Sequence, residues 1–471
     1  MESPLFSCIL REAFRSGVPE LVAVYGRRRV GKTFLIRQFL GDDLLIELVG
    51  RKGASLKEQL KNMHQAVGEA TGQQRLFAVP SNWGEAFSLL SNVIGQSDRR
   101  RKVIFFDEFP WFNTPRSGFL SAFDYWWNKW GTRRSDLMVI ICGSSASWMI
   151  EHVVNNKAGL HNRLTRRIRL LPFNLQETED FLIHRQIRLH RLQLMQFYMV
   201  MGGIPYYLKE IRKGESFSES IDRLCFTKDG LLNGEFSNLY VSLFDHPDAH
   251  LAVVKALAGR HGGLNRKELL EASGFSSGGQ FNQVMQELIE SGFVSEWPAY
   301  QKKLKGTLFR LSDEFTYFYF RFMAGQKAVG KGTWNALAAS PVWESWSGFA
   351  FERLCFRHID QIKDALGLTG VYTEASTWLH RDPEGTGTQI DLLLDRQDGV
   401  IHLVEIKFST TAFTINKTYA AVLEQKLSLF KEQTRTNKSI FLTVITSAGM
   451  TSNTYSERLI AKSLTAEALF R

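Results

Sequence analysis

Cysteine is scarce in this chain: four in 471 residues, at Cys8, Cys142, Cys225 and Cys355, with no C-x-x-C spacing. That excludes a disulfide framework and a cysteine-built zinc site. Long apolar runs are missing too. The longest, such as LMVIIC at 137–142, fall far short of the roughly 20 residues a bilayer span requires. The opening MESPLFSCILREAF carries Glu2, Arg11 and Glu12 and lacks the basic start and apolar centre of a signal peptide. Internal repeats and low-complexity tracts are absent. Together these absences predict a cytoplasmic protein of a reducing compartment, without membrane association.

What is present is ordinary globular material in quantity. Hydrophobic residues make up 44% and charged residues 23%, with 35 Phe and 11 Trp to fill several cores. At ~100–200 residues per domain, the length predicts three or four domains. Lys and Arg outnumber Asp and Glu by 58 to 48, a net charge of +10 and a pI near 9.3. An excess of that kind speaks to association with polyanions, provided the charges gather near phosphate chemistry.

The first ~170 residues alternate short β-rich runs with helical stretches, the rhythm of a parallel sheet covered by helices. LVAVYG (21–26), KVIFFDE (102–108) and LMVIICG (137–143) read as buried strands, with helices at 55–70 and 119–130 between them. Residues 172–246 are helical in pattern. Residues 248–325 read as short helices followed by a strand pair around YQKKLKG (300–306), and NALAASP (335–341) reads as a linker before a final region of strands and helices.

The sharpest local signal is Gly26-Arg27-Arg28-Arg29-Val30-Gly31-Lys32-Thr33, a G-x-x-x-x-G-K-[ST] loop with a strand before it and the helix FLIRQFL after it. The two glycines let backbone N–H groups curl around phosphate. Lys32 supplies a cation for the β- and γ-phosphates, Thr33 a ligand for Mg²⁺, and the helix its positive end. Asp107-Glu108 closes the second strand where a doubly wound sheet meets its nucleotide. Asp107 is expected to hold Mg²⁺ and Glu108 to act as general base on the attacking water. Ser144-Ser145 ends the third strand, and Ser145 is expected at the γ-phosphate. Arg163, Arg166, Arg167 and Arg169 follow. Arg163 is the candidate arginine finger, in cis or on a neighbouring subunit, which leaves a homo-oligomer open.

YGRRRVGKT, FFDEFPWF, CGSS, LHNRLTRRIRLLPF and GGIPYYL (202–208) together resemble the archaeal-type P-loop ATPases of the AAA+-related STAND group, often called DEXX-box ATPases, over residues ~20–210. The resemblance implies ATP as nucleotide, and a helical lid in which Gly202, Gly203, Ile204 and Pro205 couple nucleotide state to domain position. The N-terminal F-x-G-R-x-x-E box of relatives survives only as a trace in MESPLFSCILREAF. Residues 250–322 resemble the winged-helix domain that follows the ATPase in that family. The helix at about Gly279–Glu290 would face the major groove with Gln280, Asn282 and Gln283, while Lys302, Lys303 and Lys305 would touch phosphates. Contact with protein instead of DNA stays equally open.

TQIDLLL (388–394), DRQDG (395–399) and VIHLVEIKF (400–408) read as strand, turn, strand. Pairing about that turn sets Asp391 almost opposite Glu405, with Lys407 on the same face and Ile390, Leu392, Val404 and Ile406 on the other. Two acids and a lysine on one face suit a hard divalent cation, Mg²⁺ or Mn²⁺, though a solvated cross-strand cluster would look the same. With Glu352 on the helix at 346–359, the set resembles the PD-(D/E)xK nuclease core, with Ile390-Asp391 in place of Pro-Asp. That resemblance implies Asp391 and Glu405 as metal ligands, Lys407 activating water and Glu352 assisting.

The expected architecture is therefore α/β. A P-loop NTPase core (1–171) leads to a helical lid (172–246), a winged helix (247–330) and an α/β restriction-endonuclease-like domain (331–471). The favoured activity is ATP hydrolysis controlling a DNA nuclease. The rivals are a signalling ATPase switch with a non-cutting C-terminal domain, and a nucleic-acid motor.

Overall fold

In the computed structural model, Glu20–Tyr25 (β1), Lys102–Asp107 (β3) and Leu137–Gly143 (β4) are buried almost throughout. Leu44–Val49 (β2) and Arg166–Arg169 (β5) complete the sheet. The structure describes residues 4–72, 78–155, 160–244, 246–276, 278–302, 306–326, 330–381 and 387–471. All five strands run parallel in the order β2-β3-β4-β1-β5, and unbroken apolar runs are what strands covered on both faces require. The edge strand β5 has one buried residue, Ile168, flanked by arginines, a charged edge that resists further pairing.

An aromatic cluster fills the core of the first unit, Met1–Pro172. Trp83 and Phe87 of the Trp83–Gln96 helix pack on Phe119, Phe123 and Trp126 of the Phe119–Lys129 helix. Phe106, Phe109 and Phe112 join the same cluster. Ser55 and Glu58 form a capping box that starts the Leu56–Thr71 helix over β2, satisfying N–H groups the helix cannot.

Residues Phe173–Arg471 form the second unit. Helices such as Leu175–His184 and Arg191–Met201 begin it, the first set by a capping box between Asn174 and Glu177. A small antiparallel sheet follows, made of Leu264–Asn265 (β6), Val294–Trp297 (β7) and Leu308–Leu311 (β8) in the order β6-β8-β7. The helix Gly279–Glu290 buries Phe281, Val284, Met285 and Leu288 and exposes Gln280, Asn282 and Gln283. Lys302 is exposed; Lys303 and Lys305 lie outside the described residues.

The last sheet is mixed. Thr373–Arg381 (β9), Gly387–Arg396 (β10) and Val400–Lys407 (β11) are antiparallel neighbours, while Ser439–Thr446 (β12) and Ile460–Thr465 (β13) continue from β11 in parallel. The helix Lys417–Thr434 covers one face through Ala420, Leu423 and Phe430.

Two expectations need correction. NALAASP is not a linker: Thr333–Ala338 is helical, and Trp334 is fully buried, its ring stacked 5.9 Å from Phe226. Asp222 accepts the Gly332 and Trp334 N–H groups at 2.7 and 2.8 Å. Small residues here permit close packing; they do not mark a free segment. Ile390 also departs from its expected face. A bulge between Ile390 and Leu393 breaks the alternation of β10, so Ile390 joins Leu393, Ile401 and Leu403 in one apolar cluster. Among the described residues no helix is long and apolar enough to cross a membrane.

Candidate functional site

The loop after β1 owes its shape to two glycines. Gly26 has φ 146°, and a Cβ there would lie 2.2 Å from the Leu170 carbonyl oxygen beyond β5. Gly31 has φ 93° and opens the helix Lys32–Leu40, with free space where a side chain would stand. Between them Arg29 adopts a left-handed φ of 72°, Arg27 and Val30 are buried, and Arg28 is exposed. Lys32 Nζ turns into the loop and donates to the Gly26 and Arg27 carbonyls, both at 2.9 Å. Burial lowers its pKa, against the opposing pull of Cys142, Glu108 and Asp107.

Thr33 Oγ1 donates to Asp107 Oδ2 at 2.9 Å, although the two lie 74 residues apart. The other Asp107 oxygen accepts the Glu108 N–H at 3.0 Å. Burial, with the neighbouring charge of Glu108, raises the Asp107 pKa. Thr33 and Asp107 are thus side by side, as a shared Mg²⁺ would require, and their hard oxygens fit that ion.

Glu108 sits at a left-handed φ of 50°, a conformation that costs a non-glycine residue on the order of 1 kcal/mol. The following FPWF turn holds it there, since Phe109 and Phe112 are both sunk in the aromatic core. Glu108 Oε2 accepts the Ser144 hydroxyl at 2.8 Å and the Ser144 N–H at 3.3 Å. Ser144 is therefore the serine that meets the acid. Ser145 caps the short Ala146–Met149 turn without a side-chain capping bond. Arg163 is exposed at the end of the Leu160–Arg163 turn, outside this hydrogen-bonded set.

In the second unit, the GGIP element is a backbone crossing. The Phe173 N–H donates to Gly203 O at 2.8 Å, and a Cβ on Gly203 would lie 1.8 Å from Phe173 O. Tyr198 OH donates to that same carbonyl at 2.7 Å. Ile204 is buried, and Pro205 begins the short helix Pro205–Leu208.

The carboxylates of the C-terminal sheet also meet. The register pairs Leu392 with Val404 and Leu393 with Leu403, and Asp391 and Glu405 are the residues next beyond the Leu392 and Val404 pair. Both are buried, at 9% and 6% exposure. Glu352 approaches from the helix Pro341–Arg357. Burial and then the Asp391 charge raise the Glu352 pKa, and burial and then Glu405 raise that of Asp391. Burial pushes Glu405 the same way, but Lys407 and Lys426 overcome it and the net shift is downward. Lys407 Nζ stands 2.9 Å from one Glu405 oxygen and Lys426 Nζ 2.8 Å from the other. Tyr419 OH also donates to Glu405.

Lys426 and Tyr419 have no sequence signature; they arrive on the Lys417–Thr434 helix, whose apolar spacing alone could have placed it over β11. Among the described residues no three His, Cys, Asp or Glu side chains form a metal cage. Mg²⁺ commonly takes one or two carboxylates and completes its shell with water and phosphate. Asp391 and Glu405 offer two carboxylates of that kind.

Residues 9–211 match a family described as an ATPase domain predominantly from Archaea. The chain is 25% identical over 403 residues to the uncharacterized protein MJECL04 of Methanocaldococcus jannaschii, covering 85% of each. The Walker-type ATPase PABY2304 of Pyrococcus abyssi shares its fold at TM-score 0.50 and 18% identity, over 68% of this chain and 95% of that one. The ORC2 protein of Aeropyrum pernix, solved in ADPNP–ADP complexes, gives TM-score 0.42 at 14% identity over 71% and 93%. Residues 9–211 thus carry an ATPase domain of archaeal type, built on a parallel α/β sheet with a P-loop.

Proposed function

We propose that this chain is an ATPase whose nucleotide cycle regulates a metal-dependent DNA nuclease site of PD-(D/E)xK type in its C-terminal region. The observation that carries the nuclease reading is the convergence of Glu352, Asp391, Glu405 and Lys407 from one helix and one hairpin. A divalent cation held by Asp391 and Glu405 would polarise the phosphodiester and acidify the attacking water. Lys407 would orient that water and Glu352 would assist. For ATP hydrolysis, Lys32 would bind the β- and γ-phosphates, Thr33 and Asp107 would hold Mg²⁺, and Glu108 would orient water. Residues 247–330 read as a winged helix, with exposed Gln280 and Gln283 available to a base edge.

Coupling has physical support inside the second unit. A Cβ on Gly202 would lie 2.6 Å from Glu314 Oε2, and Glu314 pairs with Arg357 at 2.7 Å. Arg357 lies on the helix that carries Glu352. A shift of the GGIP element would therefore press on the helix that completes the carboxylate cluster.

The test is cleavage of circular DNA by the full chain with Mg²⁺ or Mn²⁺, with and without ATP, and with Lys407→Ala alongside. Cutting that depends on Lys407 and changes with ATP is expected; equal cutting with and without ATP would sink the coupling. A second reading, a nucleotide switch with a non-cutting C-terminal region, is favoured by the saturation of Glu405. Lys407 and Lys426 pair with its two oxygens, and the Tyr419 hydroxyl donates to it as well. Absence of cutting under every condition would favour that reading.

A further inference from the structure

Within the second unit a cavity of about 400 Å³ opens between the small three-stranded sheet and the β9–β10 pair, a size in the ~300–1,000 Å³ range of ligand sites. Glu268, Lys302 and Arg310 line one side, with Glu268 accepting the Asn265 N–H at 2.9 Å; Thr377, His380 and Gln389 line the other. Gly263, at φ +85°, forms its tight turn, where a Cβ would stand 2.7 Å from both Phe309 O and Arg310 Cγ. Glycine there leaves the arginine its place.

Arg310 is the unusual member. It lies on β8, outside the segment from Glu352 to Lys407, and is 4% exposed. Its guanidinium stands 4.6 Å over the Phe356 ring, and Nε donates to Gly262 O at 3.2 Å. Among the described residues that carbonyl is its hydrogen-bond partner. Burial lowers its pKa to about 10, while the charges of Glu352 and Asp391 pull the other way. A buried guanidinium with one neutral acceptor is costly unless an anion meets its other N–H donors. The nearby acids supply part of that charge. The cavity has room for more, and the planar fork of an arginine matches a phosphate in bidentate fashion. Exposed Lys302 adds a second cation on the wall. Trp378 is buried in the apolar cluster of this sheet, and the partly exposed His380 ring lies nearly parallel to it, 5.9 Å away.

We propose that this cavity holds a phosphate of the nucleic-acid strand beside the carboxylate cluster, with Arg310 binding it on one side and offsetting Glu352 and Asp391 on the other. The proposal rests on the cutting-site reading given above, and supplies what that reading lacks: Lys407 and Lys426 are engaged by Glu405, and a polyanion beside Glu352 and Asp391 needs a further cation. The cation comes from the middle segment, so the site is assembled from two stretches of the chain.

The test is metal-free. A short fluorescein-labelled oligonucleotide is titrated with the full chain in EDTA and followed by anisotropy. Arg310→Gln and Gln389→Glu are each expected to weaken binding roughly tenfold, about the worth of one charge-assisted contact, and Arg310→Lys to recover part of it. Gln389 is partly exposed, so its variant guards against a folding artefact, with melting curves as control. Wild-type binding by both variants would overturn the proposal. Adenosine monophosphate should compete poorly; competition equal to that of unlabelled oligonucleotide would make this a mononucleotide site and overturn the strand assignment. Asp391→Asn should lose cleavage in Mn²⁺ while keeping or tightening metal-free binding. Retained cleavage there would refute the cutting-site reading and leave the EDTA titration to decide the cavity alone.

Discussion

Ser144→Ala is the most informative single change at the nucleotide site. The hydroxyl donates to Glu108 Oε2 at 2.8 Å, and the Ser144 N–H meets the same oxygen at 3.3 Å. Glu108 keeps its backbone conformation in the variant, because Phe109 and Phe112 anchor the turn. What changes is the freedom of the carboxylate. A hydrogen bond to a charged group contributes about 1.5–3 kcal/mol. If that bond aims Glu108 at the attacking water, its loss falls on the transition state and lowers kcat by roughly 10- to 150-fold. Nucleotide affinity should barely move, since Ser144 reaches the acid and not the phosphate-binding loop. Steady-state phosphate release gives kcat, and titration with a fluorescent ATP analogue gives Kd. Ser144→Thr, which keeps the hydroxyl, should restore most of the rate. A Ser144→Ala enzyme that hydrolyses ATP within twofold of wild type, or faster, would refute the reasoning.

Further expectations follow from other contacts. Lys32→Ala removes the buried ammonium held by the Gly26 and Arg27 carbonyls and should slow phosphate release by about a thousandfold or more; a loss under tenfold would contradict the phosphate role. Gly203→Ala forces a methyl against the Phe173 carbonyl, 1.8 Å away, and should destabilise the second unit by about 1–3 kcal/mol, seen as a lower melting temperature. An unchanged Tm would show that the crossing relaxes freely. His358 is fully buried, accepts the Leu175 N–H at 3.0 Å through Nε2 and meets Leu354 O through Nδ1 at 2.8 Å, which fixes the neutral Nδ1–H tautomer. Burial pushes its pKa down to about 4, against ~6.5 in the unfolded chain. Between those values the unfolded chain takes up a proton the folded one refuses. Stability present above pH ~6.5 is thus lost as pH falls toward 4, by about 2 kcal/mol at pH 5. His358→Asn should lose less between pH 7.5 and 5.0 in urea titrations; an equal loss would rule His358 out.

Local pattern made much of this molecule legible. Continuous β-branched and aromatic runs marked β1, β3 and β4, and the turn residues around Asp398 and Gly399 sufficed to mark the β10–β11 hairpin. β5 escaped because Arg166, Arg167 and Arg169 carry no strand signature, and a single buried Ile168 makes no pattern. The choice between Ser144 and Ser145 depended on how β4 turns into the next helix, which dipeptide chemistry does not encode. Arg310, Tyr419 and Lys426 reach the carboxylates from elements separated by tertiary folding, so no spacing rule could have gathered them. Ile390 shows the opposite failure: alternation was applied correctly, but the bulge that resets it is invisible without the neighbouring strand β9.

The wall against which the phosphate loop is shaped is made late. β5 is the last strand of its sheet along the chain yet pairs with β1, the first; Thr165 and Glu20 hydrogen-bond across 145 residues. Gly26 packs on the Leu170 carbonyl. A ribosome adding about 5–20 residues per second needs on the order of ten seconds to supply that strand after releasing the loop. Throughout that interval the nascent chain carries Lys32 and Thr33 with no edge to hold Gly26 in place. The wall of the phosphate loop is therefore complete only once residues 166–170 have been made, at the end of the first unit's synthesis.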